Sequence, residues 1–250
     1  MSFSGSRHAA ACHLYIARYT VADPDPSTLP DLQTLPAYGI ELTRRGFLNF
    51  AATEWDAGPA AMVIDGFRSP VAPRRMRSYQ YFYNPDGTPA GHRRIGTMEW
   101  DPRPGHEHWH FEDFARYTLL DASQNEVVLS HKEGFCLANT DAVDFTVPGA
   151  VWNPYNTDLA TACGDLSSLA VREVLLTGSG DTYYQSLPGQ SFNVKDLPNG
   201  VYYVKIEVNP NGNMWETDKT NNVSLRKVKL KGSGDNRTVK VFPVGDIDFN

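Results

Sequence analysis

The stretch "GHEHWHFEDF", residues 105–114, carries histidines at three alternating positions, His106, His108 and His110. Side chains alternate across a β-strand, so an extended backbone would send all three imidazoles out of one face. On a helix the same spacing would point the first two to nearly opposite sides. Because the chain has only 7 histidines in 250 residues, their clustering here favours a strand.

The sequence on both sides of this stretch is also typical of strands. Residues 76–100 form two aromatic and β-branched runs around the turn "NPDG", and residues 114–137 repeat the pattern around "DASQNE". Further short runs follow, namely "LAVREVLL", "QSFNV", "GVYYVKIEV" and "VSLRKVKL". No segment keeps a helical period for more than about two turns. We therefore predict an all-β fold, a β-sandwich core with long irregular loops and little helix.

Prolines and polar stretches indicate where the loops lie. Many of the 17 prolines fall between residues 22 and 104, which predicts long loops in the first half as well as strands. The Asn-, Asp- and Pro-rich stretch 142–164 predicts a second long loop. No internal repeat or sharp shift in composition divides the chain. We expect one catalytic domain over residues 26–250, with residues 1–25 as a loose N-terminal arm.

The composition limits the partners. Hydrophobic residues make up 41% of the chain and charged residues 21%, an ordinary globular balance. The formal net charge of -6, with no basic stripe, argues against a nucleic-acid partner. No segment approaches the run of about 20 apolar residues that spans a bilayer. The N-terminus lacks the sustained apolar region of a signal peptide, and nothing in the sequence indicates an oligomeric state.

The three cysteines, Cys12, Cys136 and Cys163, are too few for a disulfide scaffold. They allow one bridge, Cys136 to Cys163, with Cys12 left over. The cysteines alone therefore do not fix the cellular compartment.

Three imidazoles on one strand face can converge on a single metal ion. Imidazole suits zinc, copper, iron and nickel, and copper(II) binds most tightly among the divalent ions. Three protein ligands leave a position open for water, oxygen or substrate, as in a catalytic site. Glu112 would share the histidine face and could orient a ring. The motif itself does not separate copper from zinc, or an oxidase from a hydrolase or a cupin-like dioxygenase.

Several stretches, taken in order, resemble a known family. They are "LPDL" at 29–32, "GHEHWHFEDFARYTLLD" with its spaced histidines, "SHKEGFCL", "GDTY" at 180–183, and the closing region 190–230. Together they resemble the lysyl oxidase family, whose copper-binding segment, His-Lys-x-x-Phe-Cys-Leu segment and Asp-Thr-Tyr they match. The resemblance covers about residues 29–230.

The resemblance implies a copper enzyme with a lysine tyrosylquinone made from its own side chains. By position, the copper ligands would be His106, His108 and His110, and the cofactor pair would be Lys132 and Tyr183. Copper and oxygen can oxidise a phenol to a quinone, to which a neutral lysine amine then adds, giving an electron sink that only a cofactor supplies. A primary amine, or peptidyl lysine, would be converted to an aldehyde, and molecular oxygen would take up the electrons with release of peroxide and ammonia.

The two cofactor residues raise separate questions. Lys132 must lose its proton to react, and burial near the metal and His131 would lower its pKa. Tyr184 lies beside Tyr183, but adjacent residues of a strand face opposite ways, so only one can meet Lys132. The match to Asp-Thr-Tyr favours Tyr183. The base that takes the substrate α-proton is left open.

The stretch "ETDKTNN" at 216–222 offers hard oxygen ligands, which suit calcium. The resemblance implies a structural calcium ion here, completed from the "PDL" segment. The candidate ligands are Glu216, Asp218, Asn221 and Asn222, with Asp31 and the backbone at Leu32. The simpler interpretation is a polar hairpin loop.

The chain also departs from the animal enzymes, with Gly105 where they have a cysteine before the histidines. It resembles a compact microbial member with the catalytic domain only, and the resemblance implies secretion. Two other interpretations stay open. One is a non-catalytic, metal-stabilised β-sandwich binding module. The other is a zinc or iron enzyme that uses the same three-histidine face, with Lys132 and Tyr183 incidental.

Overall fold

The chain folds almost entirely into β-strands. The computed structural model describes residues 23–130, 132, 134–150 and 163–244, of which 52% are in strands and 3% in helix. Two short 3-10 turns, Pro26–Thr28 and Gly234–Asn236, account for the helical part. No helix among the described residues is long and apolar enough to cross a membrane.

The strands, in chain order, are β1 (Leu32–Thr34), β2 (Tyr38–Leu42), β3 (Phe47–Asp56), β4 (Met62–Ser69), β5 (Ala72–Tyr83), β6 (Pro89–Asp101), β7 (His108–Glu112), β8 (Ala115–Leu120), β9 (Glu126–Leu129), β10 (Gly134–Phe135), β11 (Asp141–Ala142), β12 (Ala170–Leu175), β13 (Ser179–Tyr183), β14 (Ser191–Asn193), β15 (Gly200–Val208), β16 (Val223–Lys231) and β17 (Thr238–Val241).

These strands form three sheets. In sheet I, β3 pairs with β1, β2, β13 and β14, and β11 continues the sheet from β13. Sheet II has the order β10-β7-β6-β5-β4-β12, and sheet III has the order β17-β16-β15-β8-β9. All pairings between these strands are antiparallel. The predicted all-β fold is confirmed.

Alternation of buried and more accessible residues explains why these segments are strands. In β15, "GVYYVKIEV", Tyr202, Val204, Ile206 and Val208 are buried, and the residues between them are only partly buried. The period of two puts one row of apolar side chains against the core. Valine, isoleucine and tyrosine also suit the pleated backbone.

The three sheets share one hydrophobic core. Phe50 of sheet I stacks on Phe192 with ring centroids 4.8 Å apart and meets Tyr117 of sheet III edge-on at 5.4 Å. Phe111 of sheet II belongs to the same buried cluster. This shared core supports the proposal of a single domain over residues 26–250. The proposed arm, residues 1–25, lies outside the described residues except for its last three.

The prediction of long loops between residues 22 and 104 is wrong for most of that range. Strands β2 to β6 run from Tyr38 to Asp101 with short connections. Pro70 and Pro73 lie at the β4–β5 turn, beside an irregularity in the strand register. Proline lacks an N–H donor, so turns and bulges accommodate it where the middle of a sheet would not. In the second predicted loop, residues 151–162 lie outside the described part of the chain.

The disulfide that was considered possible from the sequence is present. Cys136 and Cys163 are joined, across 27 residues of chain. The carbonyl of Cys163 also accepts a hydrogen bond of 2.9 Å from the Trp109 N–H in β7. The bridge therefore ties the segment after β10 to the histidine strand. Cys12 lies outside the described residues.

Candidate metal and cofactor site

The histidine strand β7 lies in sheet II with its tryptophan turned inward. Trp109 is fully buried and meets Trp100 of β6 at 5.8 Å between rings. Because side chains alternate, His108 and His110 leave the opposite face of the strand. The predicted strand begins later than expected, since His106 precedes β7 in a turn closed by its N–H and the Arg103 carbonyl.

All three imidazoles nevertheless meet. His106, His108 and His110 each offer a ring nitrogen, and these atoms lie within 4.8 Å of one another. The ring centroids are 4.6 Å apart for His108 and His110, and 5.8 Å apart for His106 and His110. In the described part of the chain, no other group of at least three His, Cys, Asp or Glu residues converges in this way.

Asp101, which the sequence analysis missed, faces two of the histidine rings. Its Oδ2 lies 3.6 Å from Nδ1 of His110 and 3.9 Å from Nδ1 of His106. Arg103 Nε donates to both carboxylate oxygens at 2.9 Å, and this hydrogen bonding lowers the pKa of Asp101 to about 2. An ionised carboxylate beside the rings can orient metal ligands. Glu112, the expected orienting residue, does share the histidine face.

Two of the three histidines, His108 and His110, have lowered pKa values. Burial, followed by the neighbouring His108, lowers the pKa of His110 to about 3. Burial and the neighbouring His106 also lower the pKa of His108. A metal ligand must be unprotonated, so these two rings are ready to bind an ion at neutral pH.

Lys132 and Tyr183, 51 positions apart in the chain, lie against each other. Lys132 precedes β10, and its Nζ lies 3.8 Å from the centroid of the Tyr183 ring in β13. The same Nζ donates to the Gly134 carbonyl at 3.1 Å. Tyr184 is 52% exposed. The tyrosine that meets Lys132 is therefore the one that the Asp-Thr-Tyr match favoured.

The phenol of Tyr183 is fixed by backbone. Its hydroxyl accepts from the Cys136 N–H and donates to the Cys136 carbonyl, both at 3.2 Å. Phe135 packs edge-on against the ring at 5.3 Å. Because Cys136 is half of the disulfide, the bridge helps to hold the phenol in place.

Burial also shifts the pKa of the Lys132 amine. It lowers the pKa of Lys132 to about 8, against the opposing charges of Glu54 and Asp181. The predicted direction of the shift is confirmed. His131, which was expected to contribute, lies outside the described residues.

Two buried carboxylates that sequence reasoning missed lie beside this pair. The register between β3 and β13 places Glu54 opposite Asp181, and Ala52 opposite Tyr183, so these side chains share one face. Glu54 is fully buried and Asp181 is 3% exposed. Burial raises the pKa of Glu54 to about 8 and that of Asp181 to about 7. The spacing of Asp181 and Tyr183 in "GDTY" was a usable signal, whereas nothing in the sequence indicated Glu54.

A cleft of about 300 Å³ opens beside the histidines. Three carboxylates and one guanidinium line it, and it reaches one of the candidate ligands. Its walls include Glu99, Trp100, Asp101, Arg103, His110 and Glu112. Solvent and small molecules can reach His110 through this opening.

The candidate calcium ligands also come together. Glu216 accepts from the Leu32 N–H at 3.0 Å and from Asn222 Nδ2 at 2.8 Å. Asp31 accepts from Asn221 Nδ2 at 3.1 Å. The "PDL" segment is thus joined to the loop before β16, as expected. The sequence analysis missed Asn209, which donates to Glu216 as well.

The oxygens that remain fit a hard cation. Oδ1 of Asn221 and Oδ1 of Asn222 are buried and have no hydrogen-bond partner among the described residues. Unpartnered buried oxygens beside the Asp31 carboxylate suit calcium. Asp218 uses Oδ1 to accept from the Thr220 N–H and hydroxyl at 2.7 Å each, which fixes its carboxylate in the same loop.

Comparison with known proteins decides the family. The model of the family described as "Lysyl oxidase" matches residues 40–240. The chain belongs to the lysyl oxidase family. This family member is 31% identical to protein-lysine 6-oxidase of Sus scrofa over 135 residues, which cover 53% of this chain and 48% of the relative.

Other members of the family show similar sequence identity to this chain. The identity is 31% to protein-lysine 6-oxidase of Homo sapiens, over 53% of this chain and 28% of the relative. It is 28% to lysyl oxidase homolog 2A of Danio rerio, over 56% of this chain and 17% of the relative. The matched part of this lysyl oxidase family member therefore spans less than half the length of these curated relatives.

Proposed function

We propose that this lysyl oxidase family member is a copper-dependent amine oxidase. It would convert primary amines, including peptidyl lysine, to aldehydes with release of hydrogen peroxide and ammonia, using a lysine tyrosylquinone formed from Lys132 and Tyr183. The observation that carries the proposal is the amine of Lys132, 3.8 Å from the Tyr183 ring centroid in the neighbourhood of three convergent histidines. Relatives named protein-lysine 6-oxidase support the same activity.

The histidine cluster fits copper. Three nitrogen ligands within 4.8 Å of one another suit this ion, and they leave positions open for oxygen. His106, His108 and His110 would hold it. The ionised Asp101, kept in place by Arg103, would orient two of the rings.

The cofactor pair fits the chemistry that joins it. When bound, copper supplies with molecular oxygen the oxidation of a phenol to a quinone. Lys132 Nζ lies over the face of the Tyr183 ring, the direction from which an amine adds to a ring carbon. The backbone of Cys136 keeps the ring from turning away. Held this close, the two groups need little rearrangement to react.

The cleft beside His110 would admit the substrate. Its walls carry three carboxylates, Glu99, Asp101 and Glu112, against one guanidinium, Arg103, and the net negative charge favours a cationic alkylammonium group. Primary amines and oxygen are therefore the proposed small-molecule partners.

We expect formation of the cofactor to accelerate with pH. With the pKa of Lys132 lowered to about 8, the neutral amine rises from about 1% at pH 6 to about half at pH 8, so the initial rate should rise about 50-fold and then level off. The lowered pKa values of His108 and His110 keep those ligands neutral over the same range. Quinone absorbance after copper addition, with bound copper measured at each pH, checks this. A flat profile between pH 6 and pH 8 would contradict it.

A direct experiment tests the proposed function. The purified protein is loaded with copper in air, and peptide mapping then looks for the covalent Lys132–Tyr183 link. Quinone redox staining and peroxide release from a simple alkylamine accompany it. Samples loaded with zinc, or with copper without oxygen, serve as controls. Unlinked peptides after copper and air would favour a zinc or iron enzyme, or a binding module.

We further propose a structural calcium ion held by Asp31, Leu32, Glu216, Asp218, Asn221 and Asn222. At a concentration about 100 times its Kd, calcium should stabilise the fold by about 2.7 kcal/mol and raise Tm by roughly 5–10 °C. Asn221→Ala should remove this increase, and Asn125→Ala, in an exposed turn, should keep it. Thermal unfolding with calcium and with a chelator measures both. An equal increase in both variants would place the ion elsewhere.

We also propose that the protein works in an oxidising compartment, as a secreted enzyme does. The Cys136–Cys163 bridge supports this, because such bonds persist outside the reducing cytosol.

A further inference from the structure

The Glu54–Asp181 pair poses a charge problem. Both side chains are buried on one face of the β3–β13 pairing, and the negative charge of Asp181 disfavours ionisation of Glu54. Neither oxygen of Glu54 nor Oδ2 of Asp181 has a hydrogen-bond partner of normal geometry in the described residues. Two neighbouring carboxylates in such a site cannot both stay ionised, so the pair holds one proton and one negative charge.

The counter-charge of this pair is Lys132, whose amine lies over the ring of Tyr183 on the face that Asp181 and Glu54 share. Among the charged groups that act on its ammonium, Glu54 and Asp181 act most strongly, followed by Arg103 and Glu112. His108 and His110 of sheet II also interact electrostatically with Lys132, and Tyr117 interacts with Glu54. One ammonium and one shared negative charge leave the buried group neutral overall.

Joining Lys132 to Tyr183 would upset this balance. An amine bonded to the ring no longer carries an ammonium charge, so the negative charge on the carboxylate pair would be left buried and unpaired. An unpaired buried charge is strongly destabilising. The pair returns to neutrality only if it takes up the proton that the amine releases.

We propose that Asp181, with Glu54 beside it, accepts the proton that Lys132 loses when the two cofactor residues join. One N–H bond of the ammonium breaks and one O–H bond forms on the carboxylate pair. The electron pair left on Nζ makes the bond to the ring, and no oxidant is needed beyond the copper and oxygen of the proposed function. The inference rests on that function and assigns two further residues to it.

The first measurement needs neither metal nor cofactor. Competitive labelling with acetic anhydride in metal-free protein, followed by peptide mass spectrometry, reports the reactivity of Lys132 against pH. In Glu54→Gln/Asp181→Asn the counter-charge is gone, so the midpoint should move below the wild-type value of about 8 and labelling at pH 6.5 should increase severalfold.

The second measurement is the rate of the Lys132–Tyr183 link after copper and air. In the same double variant this rate should fall at least about tenfold, although the amine is more reactive, because the proton acceptor is missing. A merely structural role would not raise one rate while lowering the other. Asp56→Asn is the matched control, since Asp56 is another fully buried carboxylate and the charged group that acts on it is Asp31, away from Lys132. It should leave both measurements near the wild type.

The outcomes separate the two proposals. Wild-type protein that never forms the link overturns the proposed function. Wild-type protein that forms it, with the double variant equally fast or with an unchanged labelling midpoint, overturns only the role of Glu54 and Asp181. If the double variant does not fold, Asp181→Asn alone takes its place in both measurements, with the same criteria.

Discussion

His108→Ala should weaken copper binding by more than about 100-fold. Mutation of residues that only orient a metal ligand already lowers metal affinity by about 10–100-fold, and His108 is itself a proposed ligand. His108 is the middle residue of the histidine run, and its ring lies 4.6 Å from that of His110. The two histidines that remain hold copper less tightly and leave its position undefined. The quinone signal and peroxide release should both be lost.

The control for this variant is His92→Ala. His92 also lies in sheet II, where its ring stacks on Tyr81 at 5.0 Å, outside the three-histidine group. Copper titration by calorimetry, with peptide mapping of the loaded samples, compares the two proteins. If His108→Ala binds copper as tightly as His92→Ala, the histidine cluster is not the copper site.

Tyr183→Phe should abolish turnover, a loss of roughly 10³-fold or more, while copper still binds. Phenylalanine keeps the ring beneath Lys132 but lacks the oxygen from which a quinone is made. The fold should lose only about 1 kcal/mol, for the hydrogen bonds of the hydroxyl to the Cys136 backbone. Amine-dependent peroxide release, bound copper and Tm are the three measurements.

Tyr184→Phe is the matched control at the adjacent position, because Tyr184 is exposed and it is Tyr183 that contacts Lys132. It should keep turnover and the covalent link. Lys132→Met should behave like Tyr183→Phe in turnover and copper content. Activity in Tyr183→Phe together with loss in Tyr184→Phe would move the cofactor to the neighbouring tyrosine.

Individual strands could be predicted from local sequence, but their partners could not. The alternation in "GVYYVKIEV" marks β15 to the residue, and "NPDG" marks the turn between β5 and β6. The pairing of β12 with β4 and of β13 with β3 joins residues more than 100 positions apart. Such pairings depend on how whole sheets pack, which a period of two does not encode.

The same difference between local sequence and strand pairing applies to the residues of the candidate site. Three histidines at alternating positions were visible as a potential metal site, and Lys132 and Tyr183 followed from the family resemblance. Asp101 and Glu54 were not visible, because each reaches the site through strand register: Asp101 lies opposite His108, and Glu54 opposite Asp181. A carboxylate gains its role here from the strand beside it rather than from its neighbours in sequence.

The three parts of the site come from different places in the fold. The histidines belong to sheet II, Tyr183 to sheet I, and Lys132 to the connection that leaves sheet III. A nascent chain would expose its histidine run well before the tyrosine arrives, so copper captured during synthesis would have no phenol to act on. Under the proposed function, the link between Lys132 and Tyr183 can therefore form only after the sheets have packed, whenever the metal binds.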